Sequence, residues 1–157
     1  MRILGVIRAA SVCGAAVAAS GCATTAVLQQ ELTKTNTQTV LAFEETVFNK
    51  HDVTGAFFHY VDLSFLQHTP SPTQDRDLAE RAYAELVTQR YASSHLDVER
   101  AVAQGNLVVT QASWQPRPGA ASIAVIDIFR VRDGRIIEHW DVIQSEDLQL
   151  PGIEGIL

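Results

Sequence analysis

The chain of 157 residues has room for one domain, and a hydrophobic content of 46% is that of a globular protein, not of a disordered one. Acidic residues outnumber basic ones, 18 to 12, for a formal charge of −6. With no cluster of Lys and Arg to meet phosphates, unaided binding to nucleic acid is excluded as an expectation.

The first stretch, MRILGVIRAASVCGAAVAASGC, opens with Arg2, continues through small and apolar residues, and reaches Cys22. That is the layout of a signal peptide. Interrupted by Arg8, it is too short to remain as a membrane-spanning helix. Ala19-Ser20-Gly21-Cys22 resembles a bacterial lipobox, with Ala19 where Leu is commoner. The resemblance implies cleavage before Cys22 and a diacylglyceryl group on its thiol. The alternative is ordinary secretory cleavage near a cysteine. Cys13 and Cys22 are the only two thiols, so cleavage at this point leaves no internal disulfide. Loss of Arg2 and Arg8 with residues 1–21 takes the charge from −6 to −8, so acyl chains and not basic residues would hold the protein on a membrane. Ala23 after the cysteine is not Asp, which leads us to expect outer-membrane sorting, facing the periplasm, in a Gram-negative host.

Residues 22–38, rich in Thr and Gln, read as a tether with some helix at its end. A helix follows, with Val40, Phe43 and Val47, flanked by Leu41 and Phe48, at helical spacing. Asp52 is placed to cap a second, short helix through Ala56, Phe57 and Tyr60. LSFLQ reads as extended and HTPSPT as a loop. From Asp75 to Tyr91 a third helix is expected, with Leu78, Ala82 and Leu86 on its apolar face. Four strand candidates then follow: LDVERAVAQ, LVVTQASWQ, SIAVIDIFRVR and RIIEHWDVIQ, separated by Gly105-Asn106, PRPG and Asp133-Gly134. Helices first and strands after them predict an α+β domain over 39–150 with an antiparallel sheet. Residues 151–157 read as a loosely docked tail.

The last strand carries Glu138, His139 and Asp141 among apolar residues. Their use depends on the hairpin. A two-residue turn at Asp133-Gly134 pairs Arg132 with Arg135 and puts Asp127 opposite Trp140. A three-residue loop with Gly134 left-handed puts Asp127 opposite His139. A one-residue slip flips every side chain. The longer loop is preferred because the shorter one sets two arginines face to face. It also sorts Val125, Asp127, Phe129, Ile137, His139 and Asp141 onto one face, a pocket with a polar floor. Ile126, Ile128, Trp140 and Val142 fall on the other, an apolar face suited to a homodimer.

NKHDVTGAFFHYVDLSFLQHTP followed by VIDIFRVRDGRIIEHWDVIQ resembles the SnoaL-like proteins of the nuclear transport factor 2-like superfamily. The resemblance spans about Val40 to Gln144, and FLQHTP and DIFRVRDGRIIEHWDVIQ are its most specific parts. It implies a cone-shaped, cystatin-like fold in which a curved antiparallel sheet wraps around N-terminal helices and one deep pocket. Members such as SnoaL-type polyketide cyclases, ketosteroid isomerase and scytalone dehydratase use pocket carboxylates or histidines for acid–base work, without metal or organic cofactor. Others only bind ligands or assemble. The cyclase aspartate matches either Asp141 in EHWD or Asp127 in IDIFR.

Removing a proton beside a carbonyl takes a base and a donor for the enolate oxygen. Asp127, His139 and Asp141 are the candidates, with His68 facing them across the cavity. Tyr60, Gln67, Val125, Phe129 and Ile137 are the candidate substrate contacts, Tyr60 as an oxyanion donor. The structural alternative is a satisfied polar cluster that fixes strand register. Two histidines and two carboxylates could also take a metal, but no HxxxH-type spacing is present and no metal is expected. His51, His59 and His95 read as surface residues, and Tyr83, Tyr91 and Trp114 as core or rim. The expected function is cofactor-independent lyase, isomerase or cyclase chemistry on a small apolar or carbonyl-containing ligand. A ligand-binding pocket without catalysis, or an interaction module using the Trp140 face, is the alternative.

Overall fold

The computed structural model describes residues 16–68 and 74–144, with side chains from Thr24 onward. Residues 1–15 of the proposed leader, the Cys22 side chain, part of the HTPSPT loop and the tail at 151–157 lie outside the described residues. Helix α1 spans Ala16–Glu44 and widens into a π-helical turn at Glu45–Asn49. The stretch expected to be mostly tether is helical throughout, as the absence of Gly and Pro between Ala23 and Phe48 allows. Asn36 is the first buried side chain of α1, and its Nδ2 donates to the Gly105 carbonyl at 3.1 Å. Beyond it Val40, Phe43 and Val47 are buried, as their spacing predicts. Asn49 then meets Leu96 in strand fashion, donating to Leu96 O and accepting from Leu96 N.

Helix α2 (Val53–Tyr60) begins where expected, with the Asp52 carboxylate accepting from Gly55 N at 2.9 Å. Strand β1 (Val61–Gln67) and the short β2 (Gln74–Asp75) follow. Helix α3 (Arg76–Ala84), capped by Asp75, passes into a second π-helical turn at Glu85–Arg90. Its inward face is shifted by one residue from the expected one. Ala79, Tyr83 and Val87 point in and Leu86 packs partly buried against the core as expected, while Leu78 is about half exposed and Ala82 is exposed. The small Ala79 lets the helix approach the core, and the amphipathic Tyr83 takes the central inward position. A count of aliphatic side chains weighs neither.

Strands β3 (His95–Gln104), β4 (Leu107–Gln115), β5 (Ile123–Arg132) and β6 (Arg135–Gln144) match the four expected segments closely. The curved, open six-stranded sheet has the order β2-β1-β6-β5-β4-β3. Hairpins make β3 to β6 antiparallel. The expectation of a wholly antiparallel sheet needs one correction, because β1 docks parallel to β6 with no hairpin to dictate its direction.

The β5–β6 hairpin corrects the expected register. Its turn is the two-residue one, with Asp133 and Gly134 both at positive φ (51° and 74°), the type I′ geometry that suits strand twist. Arg132 does face Arg135, but the two side chains leave for different acceptors. Arg132 reaches Ser64 Oγ at 3.2 Å and Arg135 the carbonyl of Phe58 at 3.0 Å. A bulge then follows. Val131 pairs with Ile136 and Arg130 with Glu138, so Ile137 is the extra residue. Beyond the bulge Asp127 lies opposite Asp141 and His139 opposite Phe129. The one-residue insertion restores the inward–outward parity of the longer loop. Asp127, His139 and Asp141 therefore share the inner face, as expected, through a different pairing.

The inner face carries two apolar clusters. One gathers Phe43, Phe57, Phe65, Val108, Phe129 and Ile136, and the other Leu96, Ala112, Trp114, Ile123 and Val125. Along β4 the polar Thr110 separates Val108 from Ala112, and along β5 Asp127 separates Phe129 from Val125. A polar band thus crosses the sheet between two dry layers.

Candidate active site

The band is set by register. Thr110 on β4, Asp127 on β5 and Asp141 on β6 are cross-strand partners in one row. Gln67 on β1 and His139 on β6 are partners in the next. Two helices close over these rows. The end of α1 brings Glu44 onto Thr110, whose hydroxyl donates to Glu44 Oε1 at 2.6 Å. The last turn of α3 brings the Tyr83 hydroxyl to 3.0 Å from His139 Nδ1. Both side chains stand on α-helix immediately before a π-helical turn (for Tyr83, one residue earlier), a local widening found often at functional sites.

His139 is the hub. It is 2% exposed, and Asp127 is 5% exposed. Its Nε2 lies 2.9 Å from Asp127 Oδ1, its Nδ1 lies 2.8 Å from Gln67 Oε1, and its ring stacks on Phe129 at 4.4 Å between centroids. The Gln67 carbonyl oxygen can only accept, so it favours a proton on Nδ1. On the other side of the ring, Asp127 Oδ1 is placed to accept from Nε2. The Tyr83 hydroxyl is pushed well above its ordinary value, first by burial and then by the charges of Asp141, Asp127 and Glu44. Tyr83 is thus a neutral hydroxyl, able to donate or accept. Glu44 is pushed up to about 8, by burial first and by Asp127 second, with the Thr110 hydrogen bond opposing. It is predominantly a neutral acid at pH 7.

Of the sequence-predicted residues, Asp127, His139, Gln67 and Phe129 meet in this cluster, and Asp141, partly buried, completes the row beside Asp127. His68 does not join them. Strand alternation that points Gln67 inward points His68 outward, where its ring stacks on Trp140 at 4.4 Å and its Nε2 lies 3.2 Å from Glu138. Glu138 also accepts from Arg130 Nε at 3.0 Å, so Glu138 and Trp140 face away as expected. Tyr60 packs beside the first apolar cluster, Val125 belongs to the second, and Ile137 is the bulge residue. The clefts around Glu45, Asn49 and His95 and around Thr54, Asp77 and Glu80 share no residue with the polar band. Phe43 packs edge-on against Phe129 beside the band, and Tyr83 reaches His139. Among the described residues no group of three or more His, Cys, Asp and Glu side chains is arranged to hold a metal ion.

Glu44 and Tyr83 were missed in the sequence. The signal for Glu44 was present, since it falls within the apolar stripe of Val40, Phe43 and Val47 as a carboxylate where a hydrophobe belongs. Tyr83 had no comparable mark.

The SnoaL-like domain family matches residues 40–139, and the chain belongs to it. No protein with a curated description matches the chain in sequence. Among solved structures, a protein assigned as a SnoaL-like polyketide cyclase from Jannaschia sp. CCS1 is 18% identical, with a TM-score of 0.61 over 72% of this chain and 88% of that one. An LEH-like epoxide hydrolase of M. tuberculosis is 17% identical (TM-score 0.59, 71% and 84% covered). An NTF2-like protein of unknown function from Mesorhizobium loti is 18% identical (TM-score 0.58, 72% and 93% covered). At these identities the likeness is one of fold.

Proposed function

We propose that this SnoaL-like protein carries out cofactor-independent acid–base chemistry on a small carbonyl-containing substrate, as a lyase, isomerase or cyclase. The observation that carries the reading is the buried Asp127–His139 contact at 2.9 Å, with Gln67 and Tyr83 on the other imidazole nitrogen. A carboxylate and an imidazole sharing a movable proton can take one from carbon, while a neutral tyrosine hydroxyl can support a developing oxyanion. Polyketide cyclase and epoxide hydrolase assignments among the structural neighbours agree with acid–base use of this fold. The near-complete burial of His139 and Asp127 favours a second reading, a structural polar network in a ligand-binding or interaction module.

The test is deuterium uptake at the carbon beside the carbonyl, followed by NMR over a panel of small ketones and β-keto esters. Wild type should accelerate exchange of at least one class. Asp127→Asn and His139→Ala should each remove most of it, by about a hundredfold or more for a lost acid or base, and Glu138→Gln should be silent. Saturable binding without exchange would favour the ligand-binding reading. We further propose anchoring in the outer membrane through lipid on Cys22, facing the periplasm. Labelled fatty acid should enter the wild-type chain in a bacterial host and not Cys22→Ala. A wild-type chain that takes up no label refutes the anchor.

A further inference from the structure

Beyond the polar band, the inner face holds a donor that the reaction above does not use. Trp114 on β4 is 4% exposed, and its Nε1 is buried with no hydrogen-bond partner. An indole N–H can only donate, and a buried one ordinarily finds an acceptor. Tyr91, directly after the second π-helical turn, meets this indole edge-on, with 4.9 Å between centroids and 85° between planes. Tyr91 is itself only partly buried.

Register fixes where this donor stands. The row after Thr110, Asp127 and Asp141 on the same face is Ala112, Val125 and Ile143, and Trp114 lies in the row after that. Val98 extends the middle row onto β3. The middle row is apolar throughout, and Ala112 is the smallest side chain that β4 buries. Thr110 and Trp114 are about 13 Å apart along the strand, at roughly 3.3 Å per residue. We propose that Trp114 is a specificity-determining residue of this site. A ligand lies over the Ala112 row with its ketone at the polar band, and an oxygen at its far end accepts from the indole N–H, with Tyr91 turned aside to admit it. The substrate class is then an elongated, apolar ketone that carries an ether, carbonyl or hydroxyl oxygen remote from the reacting carbon. The proposal rests on the acid–base reading given above. A ligand without the remote oxygen leaves the donor buried and unpaired, so the site selects against it.

The experiment titrates the full chain, 15N-labelled at tryptophan, with two probes, 4-phenylcyclohexanone and 4-(4-methoxyphenyl)cyclohexanone. They differ only in an ether oxygen at the end remote from the ketone. The chain has two tryptophans, Trp114 and Trp140, and Trp140→Phe assigns their indole N–H signals. The methoxy probe should move the Trp114 signal downfield and leave that of Trp140, on the outer face, in place. The phenyl probe should bind without the downfield move. The methoxy probe should bind about three- to tenfold more tightly, the worth of one hydrogen bond, and Trp114→Phe should abolish that preference. Saturation by the methoxy probe without the downfield move, equal affinities in the wild type, or failure of both probes to bind overturns the proposal, and none of these results requires Trp114→Phe to fold. If the probes bind as described but no ketone exchanges deuterium, the enzymatic reading fails and the Trp114 contact stands. If exchange depends on Asp127 while the methoxy group confers no preference, only the Trp114 contact fails.

Discussion

His139 reaches Asp127 diagonally across two strands, Nε2 to Oδ1 at 2.9 Å, because the residue directly opposite it is Phe129. The diagonal leaves Asp127 opposite Asp141. Two carboxylates directly opposite each other repel, and the imidazole gives Asp127 a hydrogen-bond partner within the buried row. Removing that ring should therefore be expensive. We expect His139→Ala to destabilise the fold by about 3–5 kcal/mol, as when one member of a buried charged pair is lost. Asp127→Asn, which keeps the shape and a hydrogen bond, should cost less. Urea unfolding of both variants checks the order. A cost for Asp127→Asn equal to or above that of His139→Ala would overturn this order.

Stability should fall as the pH rises from 4.5 to about 8. Glu44 is raised from an ordinary value of 4.5 to about 8 in the fold, so between those values the folded chain holds a proton that the unfolded chain has lost. The slope of unfolding free energy with pH is then negative across that window. The contribution is fully present below 4.5 and lost as the pH passes about 8. At about 1.4 kcal/mol per unit, it amounts to a few kcal/mol. Glu44→Gln should flatten this part of the curve in urea titrations at a series of pH values. A slope that persists unchanged in the variant would assign it to another group.

Gly55 is fixed by the Asp52 cap. A Cβ at this position would run into the Asp52 carboxylate, which accepts from Gly55 N. Gly55→Ala should lose the cap and cost about 0.5–2 kcal/mol. In the double variant with Asp52→Ala the two losses should not add. Full additivity in thermal unfolding would separate the glycine from the cap.

The outer sheet face should pair with a second copy. It presents Val142, 62% exposed, and Leu66, 42% exposed, beside the stacked rings of His68 and Trp140, with the Arg130 guanidinium 5.8 Å from the indole. Flat aromatic and aliphatic groups of this kind suit an interface core. Sedimentation of the full chain carrying Cys22→Ala should show a dimer at micromolar concentration, and Val142→Arg should yield monomers. A monomer of the Cys22→Ala chain under those conditions would rule the dimer out.

Much of this was legible in the chain. The four late strands followed from two-residue periodicity and Gly-containing turns, α2 from its Asp52 cap, and the inner face of α1 from Val40, Phe43 and Val47, because burial imposes these periods locally. The partnership of Asp127 with His139 was legible only to parity. The expected repulsion between Arg132 and Arg135 favoured the wrong loop, and the bulge at Ile137 that restored the parity has no sequence mark of its own. Tertiary structure alone decided the rest. His68 turned outward because β1 docks parallel to β6 in the phase that buries Gln67. Tyr83 entered the site because α3 settled one residue away from its aliphatic face. Glu44 became a neutral acid because α1 lies over Thr110 and Asp127, where burial and a neighbouring charge act together. Those forces depend on what lies across space, and no local period encodes them.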